Sequence, residues 1–556
     1  MNAQKPWLQH YPEGVPYEAS LKGYQSLVHL LEESLSRYGA RTALESLGQT
    51  VSYHELDRLS QDFASYLQSL QLAPGSRIAI MMPNLLQYLI AMLGTLRAGY
   101  AVVNVSPLYT ARELEHQLLD SGASVLVILE NFAHLYQSIQ GHVQLEQVVV
   151  SSIGDILGIR GAFIDLIARK LKKLVPAWSL PCVALKDALR IGRQHSFSKP
   201  AIMLDDIAFL QYTGGTTGVS KGAVLTQRNL LANVLQIEDW LEPGLKQNTP
   251  KQLIFLCALP FTHIFALTAC AFLGMRKGGK LLLVANPRDI PRFIRLLIQH
   301  PNIHIFPGVN TLFHALIHHP LFTKVKLPDL LVTIGGGMAV QKTVADRWQK
   351  LTGVPIAQGY GLSETSPVVC VNTPLIESFT GSIGLPISGT EVIILDDDEV
   401  ELPYGSPGEI CIRGPQVMQG YWQRVEESKQ CFTSDGFFKS GDIGIMSQDG
   451  YVQIVDRKKD MVVVAGFKVF PNEVEEVLSQ LPGVRECAVV GVPHRKLGEI
   501  VKAFIVKDDH HLSEKAVHRY CREQLSTYKR PRRIQFVDEL PKSNVGKIVR
   551  RHLKAL

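Results

Sequence analysis

Residues 212–223 read Tyr212-Thr213-Gly214-Gly215-Thr216-Thr217-Gly218-Val219-Ser220-Lys221-Gly222-Ala223. Glycines let a backbone approach an anion closely and present its amide N–H groups. Thr213, Thr216, Thr217 and Ser220 add hydroxyl donors, and Lys221 adds a positive charge. This is the chemistry of a loop that holds nucleotide phosphates. It is not the Walker arrangement, since Gly214 and Gly215 do not precede a Gly-Lys-Ser/Thr at the required spacing. A flexible Gly/Ser/Thr surface loop is the plain alternative. The specified run leaves an apolar, strand-like segment directly, Ile207-Ala208-Phe209-Leu210, which argues against it.

A second candidate is Gln358-Gly359-Tyr360-Gly361-Leu362-Ser363-Glu364-Thr365. The Tyr360 ring can pack on a base and the Ser363 hydroxyl can bond a phosphate oxygen. The Glu364 carboxylate can hold Mg²⁺ together with phosphates, as that ion prefers. Ser440-Gly441-Asp442 follows Phe437-Phe438 and is expected to hold its carboxylate on a tight turn, where it can accept bonds from both ribose hydroxyls. Lys547, in Pro541-Lys542-Ser543-Asn544-Val545-Gly546-Lys547, would alone be an ordinary solvated charge.

The elements that must position these residues are also legible. Strand-like and helix-like runs alternate through the first 390 residues, for example strands at 77–81, 100–105, 124–129, 281–285 and 331–334 and a helix at 86–97. That alternation predicts an α/β fold built from βαβ units. From 391 to 458 short strands and turns predict a small β-rich, barrel-like subdomain. From 459 to 556 a compact, mobile α+β domain is expected, with the charged run Asp456-Arg457-Lys458-Lys459-Asp460 as its hinge. At 556 residues several cores are expected. A net charge of +6 is too mild to imply a nucleic-acid partner. The eight cysteines show no metal-ligand spacing and read as reduced thiols of a cytoplasmic protein. Residues 1–18 lack the apolar core of a signal peptide. Residues 253–275 carry no formally charged side chain and are long enough to span a bilayer. Pro260 and His263 interrupt them, so a buried strand, a loop and a buried helix are expected instead.

Taken together, the motifs resemble the adenylate-forming superfamily of acyl-CoA synthetases, firefly-type luciferases and peptide-synthetase adenylation domains. Met82-Pro83-Asn84, Asn286-Pro287-Arg288 and Gly414-Pro415-Gln416-Val417-Met418 extend the likeness across the chain. Within that superfamily it is most similar to bacterial long-chain fatty-acid–CoA ligases. The resemblance implies a fatty acid, ATP and CoA as substrates and Mg²⁺ as cofactor. It implies that residues 213–221 embrace the β- and γ-phosphates, and that Gly335, Gly336, Gly337, Gln358, Gly359, Tyr360 and Gly361 line the adenylate site. Ser363 would meet the α-phosphate, Glu364 would hold the metal, and Asp442 and Arg457 would bind the ribose. Lys459 would be the hinge residue, Gly466 would line the pantetheine path, and Lys547 would be the catalytic lysine of the first half-reaction. Small departures from the family pattern occur at Ser363, Ser440 and Ala465, and at Phe261-Thr262 the pocket shape is put in doubt. The alternative readings are an acyl-AMP ligase serving a carrier protein or another acceptor, and a CoA ligase of medium-chain or other carboxylic acids.

Two features stay open at this level. His263, in Leu259-Pro260-Phe261-Thr262-His263-Ile264-Phe265, is either a satisfied core histidine or, as the resemblance implies, a catalytic-site group beside the substrate carboxylate. Residues 160–175 place Phe163, Ile167, Leu171 and Leu174 at helical spacing beside Arg169, Lys170, Lys172 and Lys173. Such a helix either packs on the protein's own core or lies on the anionic inner face of a membrane. Oligomeric state is open, a homodimer included.

Overall fold

The computed structural model describes residues 5–213, 220–245, 250–509, 511–543 and 546–554. Two large sheets form the first part of the chain. In one, the strands run in the order Val183–Ala184, Gln147–Ser151, Val125–Leu129, Arg77–Met81, Ala101–Asn104, Ile207–Thr213 and Lys221–Thr226. All pairs are parallel except the last, where Ile207–Thr213 and Lys221–Thr226 form an antiparallel pair on either side of the glycine-rich loop. The other sheet has nine strands, of which Ile356–Gly361, Val332–Gly335, Ile305–Gly308, Ile254–Cys257, Lys280–Leu283 and Thr42–Ser46 are successively parallel. The strand and helix alternation of the sequence is therefore realised as βαβ winding.

Helix Leu86–Arg97 is buried along its entire length, which is why its apolar residues follow no single face. At its start Asn84 closes a polar circuit inside the core: its Nδ2 donates to the carbonyls of Cys257 (2.9 Å) and Leu259 (2.7 Å), and its Oδ1 accepts from Phe261 N–H (2.8 Å). A buried amide with every partner satisfied fixes the loop before His263. Residues 253–275 form the expected strand, loop and buried helix, the helix containing one widened π-type stretch at Leu267–Phe272. Among the described residues no helix is long and apolar enough to cross a membrane. All eight cysteines are free thiols.

Next come four antiparallel strands in chain order, Glu391–Leu395, Gly408–Arg413, Phe438–Met446 and Val452–Arg457. Here one expectation is corrected. Ser440-Gly441-Asp442 is not a tight turn but a bulge within Phe438–Met446, with Gly441 at φ +74°. Ser440 Oγ donates to Ile410 O (2.6 Å) and accepts from Asp442 N–H (3.1 Å), so its hydroxyl holds the bulge.

The last sheet packs Val462–Val464, Phe467–Val469, Val484–His494, Gly498–Lys507 and Arg533–Phe536. Strand alternation gives it two apolar faces. Val489, Val501, Ala503 and Ile505 meet Val474, Leu478, Val517 and Cys521 from helices Pro471–Ser479 and Glu514–Gln524. On the opposite face, Ala488, Val490 and Phe504 meet Leu540 and Leu553. Leu553 belongs to the short final helix Arg550–Lys554, and its burial anchors the segment that carries Lys547.

Residues 160–175 depart from a single regular helix. An α-helix, Ile159–Leu166, passes into a π-type turn, Ile167–Leu171, and Lys173 adopts φ +48°. The added residue per turn shifts the face, so Ile167 is half-buried while Leu166 joins Phe163, Leu171 and Leu174 in solvent.

Candidate functional site

The C-terminal ends of the parallel strands open into a cavity of about 1660 Å³. In open α/β sheets ligands gather at this edge. The cavity has two chemical halves. Ile237, Trp240, Ala269, Val332, Ile334 and Val371 give one part an apolar lining. Lys221, Ser363, Glu364, Arg457 and Lys547 make the other part charged. A cavity of about 1120 Å³ adjoins it, sharing Gly337, Tyr360, Arg457 and Lys547 and adding Asp442 and Lys459.

Gly214, Gly215, Thr216, Thr217 and Gly218 lie outside the described residues. Their flanks, Thr213, Ser220 and Lys221, line the cavity. Lys221 forms an ion pair with Glu427 and lies 5.3 Å from the centre of the Tyr421 ring. Tyr421 in turn donates its hydroxyl to Glu364 Oε1 (2.8 Å). The segment 418–422 is held between both parts: Met418 N–H donates to Glu364 O (2.7 Å), Val224 N–H to Gly420 O (2.9 Å) and Trp422 N–H to Gly222 O (2.8 Å). Neither Tyr421 nor Glu427 was singled out from sequence. Gly420-Tyr421-Trp422, just after Gly414-Pro415-Gln416-Val417-Met418, was the available signal.

Tyr360 ends strand Ile356–Gly361 and donates its hydroxyl to Asp442 Oδ2 (2.8 Å). Asp442 pairs across the sheet with Arg457, whose Nε lies 3.2 Å from Asp442 Oδ1. Asp442 raises the affinity of Arg457 for its proton above the ordinary level. Gly361 approaches so closely that an added Cβ would lie 1.8 Å from Pro367 O, which forces glycine there. Of the other glycines, Gly336, Gly337 and Gly359 line the cavity, whereas Gly335 packs against Val340 and Ile356. Gln358 lines only the adjoining cavity, accepting from Val340 N–H (3.2 Å) and donating to Ser382 O (3.1 Å).

Glu364 is buried, and desolvation raises its pKa above the usual carboxylate value against the lowering effect of Tyr421. Lys547 reaches this group of charges from the final unit of the chain. Its Cε lies 3.5 Å from where a Gly337 Cβ would stand. Desolvation and then Arg457 push its pKa down to about 8, with Asp442 and Glu364 acting in the opposite direction. His263 also lines the cavity; burial first, and Lys547 second, push it down to about 3, so the ring is neutral. Its Nδ1 accepts from Phe265 N–H (3.3 Å), which leaves Nε2 as the N–H donor. Lys459 is pushed down to about 8, chiefly by desolvation. Gly466 is not brought together with the others. It turns between Val462–Val464 and Phe467–Val469 at φ +86° and lines neither cavity.

The sequence profile of the AMP-binding enzymes matches residues 31–422, and that of their C-terminal domain matches residues 473–547. The chain belongs to this family of AMP-binding enzymes. It is 48% identical to a long-chain-fatty-acid–CoA ligase of Escherichia coli O6:H1 over 99% of this chain and 98% of that one. It is 34% identical to a long-chain-fatty-acid–CoA ligase of Bacillus subtilis (strain 168), over 100% and 98%. Among solved structures, ATP-bound MatB from Rhodopseudomonas palustris superposes with a TM-score of 0.81 at 27% identity, covering 94% of this chain and 98% of that one. The anthranilate CoA ligase AuaEII, in complex with anthranoyl-AMP, superposes at 0.83 and 25% identity, covering 96% and 97%.

Gly337 has φ +76° and abuts the docked lysine. A Gly337→Ala substitution therefore carries backbone strain of about 1–2 kcal/mol at the site itself. Gly353, at φ +80° with nothing near its Cβ position, is the matched control. Thermal unfolding is expected to shift similarly in both alanine variants, while AMP-forming turnover falls about tenfold only in Gly337→Ala. Equal turnover in the two would remove any role for the Gly337–Lys547 approach.

Proposed function

We infer that this AMP-binding enzyme is a long-chain fatty-acid–CoA ligase that converts fatty acid, ATP and CoA to acyl-CoA, AMP and pyrophosphate. The observation that carries this is one cavity with an apolar half and a charged half, into which a separate unit of the chain inserts Lys547. In the first half-reaction a carboxylate oxygen attacks the α-phosphorus, and the bond to pyrophosphate breaks. Two anions must meet and negative charge must leave, so positioned positive charge does most of the work. Lys547 bridges the carboxylate and the α-phosphate. Lys221 and the glycine-rich loop hold the β- and γ-phosphates, and Ser363 meets the α-phosphate. The ribose hydroxyls fall to Asp442 and Arg457, and the base to Tyr360, Gly336 and Gly337. His263, neutral with an N–H at Nε2, donates to the acyl carboxylate without adding charge. Glu364, a carboxylate oriented by Tyr421 at the edge of the charged half of the cavity, fits Mg²⁺, an ion that takes one or two carboxylates and keeps phosphate and water ligands. When bound, the ion would neutralise charge on the departing pyrophosphate.

In the second half-reaction the CoA sulfur attacks the acyl carbonyl carbon and AMP leaves. Lys547 occupies the cavity while Gly466 stands outside it, so both cannot serve one arrangement. Residues 459–556 accordingly rotate about Lys459, withdrawing Lys547 and bringing Gly466 in. The apolar half favours long chains, because each methylene taken from water contributes about 0.8 kcal/mol.

A lipid surface is the further partner. Phe163, Leu166, Leu171 and Leu174 are 66, 52, 76 and 52% exposed within twelve residues, beside exposed Lys170, Lys172 and Lys173. Arg169 is not part of this basic group, since it pairs with Glu130 (2.8 Å). Ile164 and Ala168 face the core, so the segment packs inward and presents the rest outward. Apolar side chains flanked by lysines suit an anionic bilayer, each lysine adding about 1 kcal/mol.

Three measurements test this reading. With Mg·ATP and a C16 fatty acid, AMP release is expected to depend on CoA, and Lys547→Ala to lower adenylation by about 10²–10³-fold. AMP limited to one equivalent whatever CoA is added would mean a different acceptor. The pH profile of adenylation follows the Lys547 shift: its ammonium is charged below about 8 and lost above it. Hence kcat/KM falls as pH rises through about 8, and the kcat limb lies higher because bound phosphates favour the ammonium. Persistence of that limb in Lys547→Arg protein would assign it to another group. In flotation, the protein is expected to rise with anionic vesicles at low salt and to be released by salt or by Phe163→Ser with Leu171→Ser. No binding at low salt would end the membrane assignment.

A further inference from the structure

Arg550 begins the final helix three residues after Lys547, and its guanidinium gathers groups from both sides of the charged run 456–460. Nη2 donates to Asn472 Oδ1 (2.6 Å) and to Glu475 Oε1 and Oε2 (2.9 and 2.8 Å), and Nε donates to Glu475 Oε1 (3.2 Å). Nη1 lies 3.4 Å from Asp460 Oδ2 and 3.9 Å from Asp456 Oδ1. Asp456 is fully buried at the end of strand Val452–Arg457, before Lys459, and accepts from Arg457 N–H (2.7 Å) and Asn472 N–H (2.7 Å). Asn472 Nδ2 donates to Val455 O (3.3 Å). Asp460, Asn472, Glu475 and Arg550 follow Lys459; Val455 and Asp456 precede it.

We propose that Asp456, Asn472 and Arg550 form a latch across the hinge, positioning Lys547 for adenylation and releasing when the thioester step begins. This rests on the reading of Lys459 as the pivot. A rotation there separates Asp456 and Val455 from Asn472 and Arg550, whereas the Arg550 bonds to Asn472 and Glu475 travel with the moving unit. Arg550 thus keeps two strong partners in either arrangement, and the hinge-crossing contacts are the ones that open. Thr311 Oγ1 to Gly546 O (3.2 Å) and Arg288 Nη2 to Ser543 O (3.4 Å) also cross this boundary near Lys547. The latch is a positioning device. It touches no reacting atom.

The test separates the half-reactions, using ATP–pyrophosphate exchange for adenylation and transfer from supplied acyl-adenylate to CoA for the second step. Asp456→Asn removes the buried charge at constant shape, and Asn472→Ala removes the side-chain bonds to Val455 and Arg550. Both are expected to slow exchange, Asp456→Asn about tenfold and Asn472→Ala less, while the transfer step stays at or above the wild-type rate. Wild-type and Lys459→Pro proteins run alongside. A proline variant that loses only the transfer step supports the pivot, and the ratio of half-reactions then decides the latch. If Lys459→Pro still transfers normally the pivot reading fails, and the latch with it. Parallel loss of both steps, or a ratio within twofold of wild type in the variants, overturns the latch while leaving the pivot standing. Should Asp456→Asn not fold, Asn472→Ala gives the same ratio.

Discussion

The arrangement depends on bringing one ammonium, Lys547, up beside a guanidinium, Arg457, whose charge adds to desolvation in lowering the lysine's proton affinity. Like charges repel, so such a pair needs acids close by. Asp442 and Glu364 are those acids, and each is already hydrogen-bonded by a tyrosine, Tyr360 and Tyr421. The phenols hold the carboxylates in place without neutralising them. The cluster is charge-balanced, two cations against two carboxylates, and the proton affinity of Lys547 is lowered by desolvation first and by Arg457 second. The bulge at Ser440–Asp442, the close turn at Gly361 and the cross-strand register of Asp442 with Arg457 all serve this one cluster.

On the proposed mechanism, a lysine held in place by a whole folded unit must also leave. The final unit has its own two-faced apolar core, from Val501 and Ile505 on one side to Phe504 and Leu553 on the other, which suits the proposed rotation as a body. Contacts described beside Lys547, from Thr311 and Arg288, are polar, and polar contacts exchange with water at little net cost. Rigid cores with a thin polar boundary are what a repeated two-position motion requires.

Much of this was readable from the chain because each motif combined residue types with incompatible ordinary uses. A buried carboxylate beside Gly-Tyr-Gly, or a glycine-rich run straight after a strand, has few purely structural explanations. The βαβ alternation was legible for the same reason: strands 77–81 and 124–129 and helix 86–97 were expected and occur as Arg77–Met81, Val125–Leu129 and Leu86–Arg97. What escaped was set by tertiary pairing. Asp442 was expected on a turn, yet it stands in a bulge where Ser440, Gly441 and Asp442 lie opposite the single residue Ile410 of the neighbouring strand. Tyr421 directly follows Gly420, yet it is the folding of segment 418–422 against Lys221–Thr226 that brings it and Glu427 to Lys221. The stripe at 163–174 was displaced by a π-type turn, which periodicity at a constant angle cannot register.

The two halves of the cavity make different demands on binding energy. Contacts to the acyl tail are the same before and during the attack on phosphorus, so they lower KM without raising kcat. On the proposed mechanism, the contact from Lys547 strengthens as charge moves, and it sets the barrier. For a tail arriving from water, burial in the apolar half is worth about 0.8 kcal/mol per methylene. For a tail arriving from a bilayer that gain nearly cancels, because the methylenes were already out of water. Discrimination between chains drawn from lipid then falls to the shape of the pocket around Trp240 and Val371 rather than to hydrophobic area. A surface such as Phe163–Leu174 would act on the encounter, raising the local supply of substrate, and leave the chemistry at Lys547 untouched.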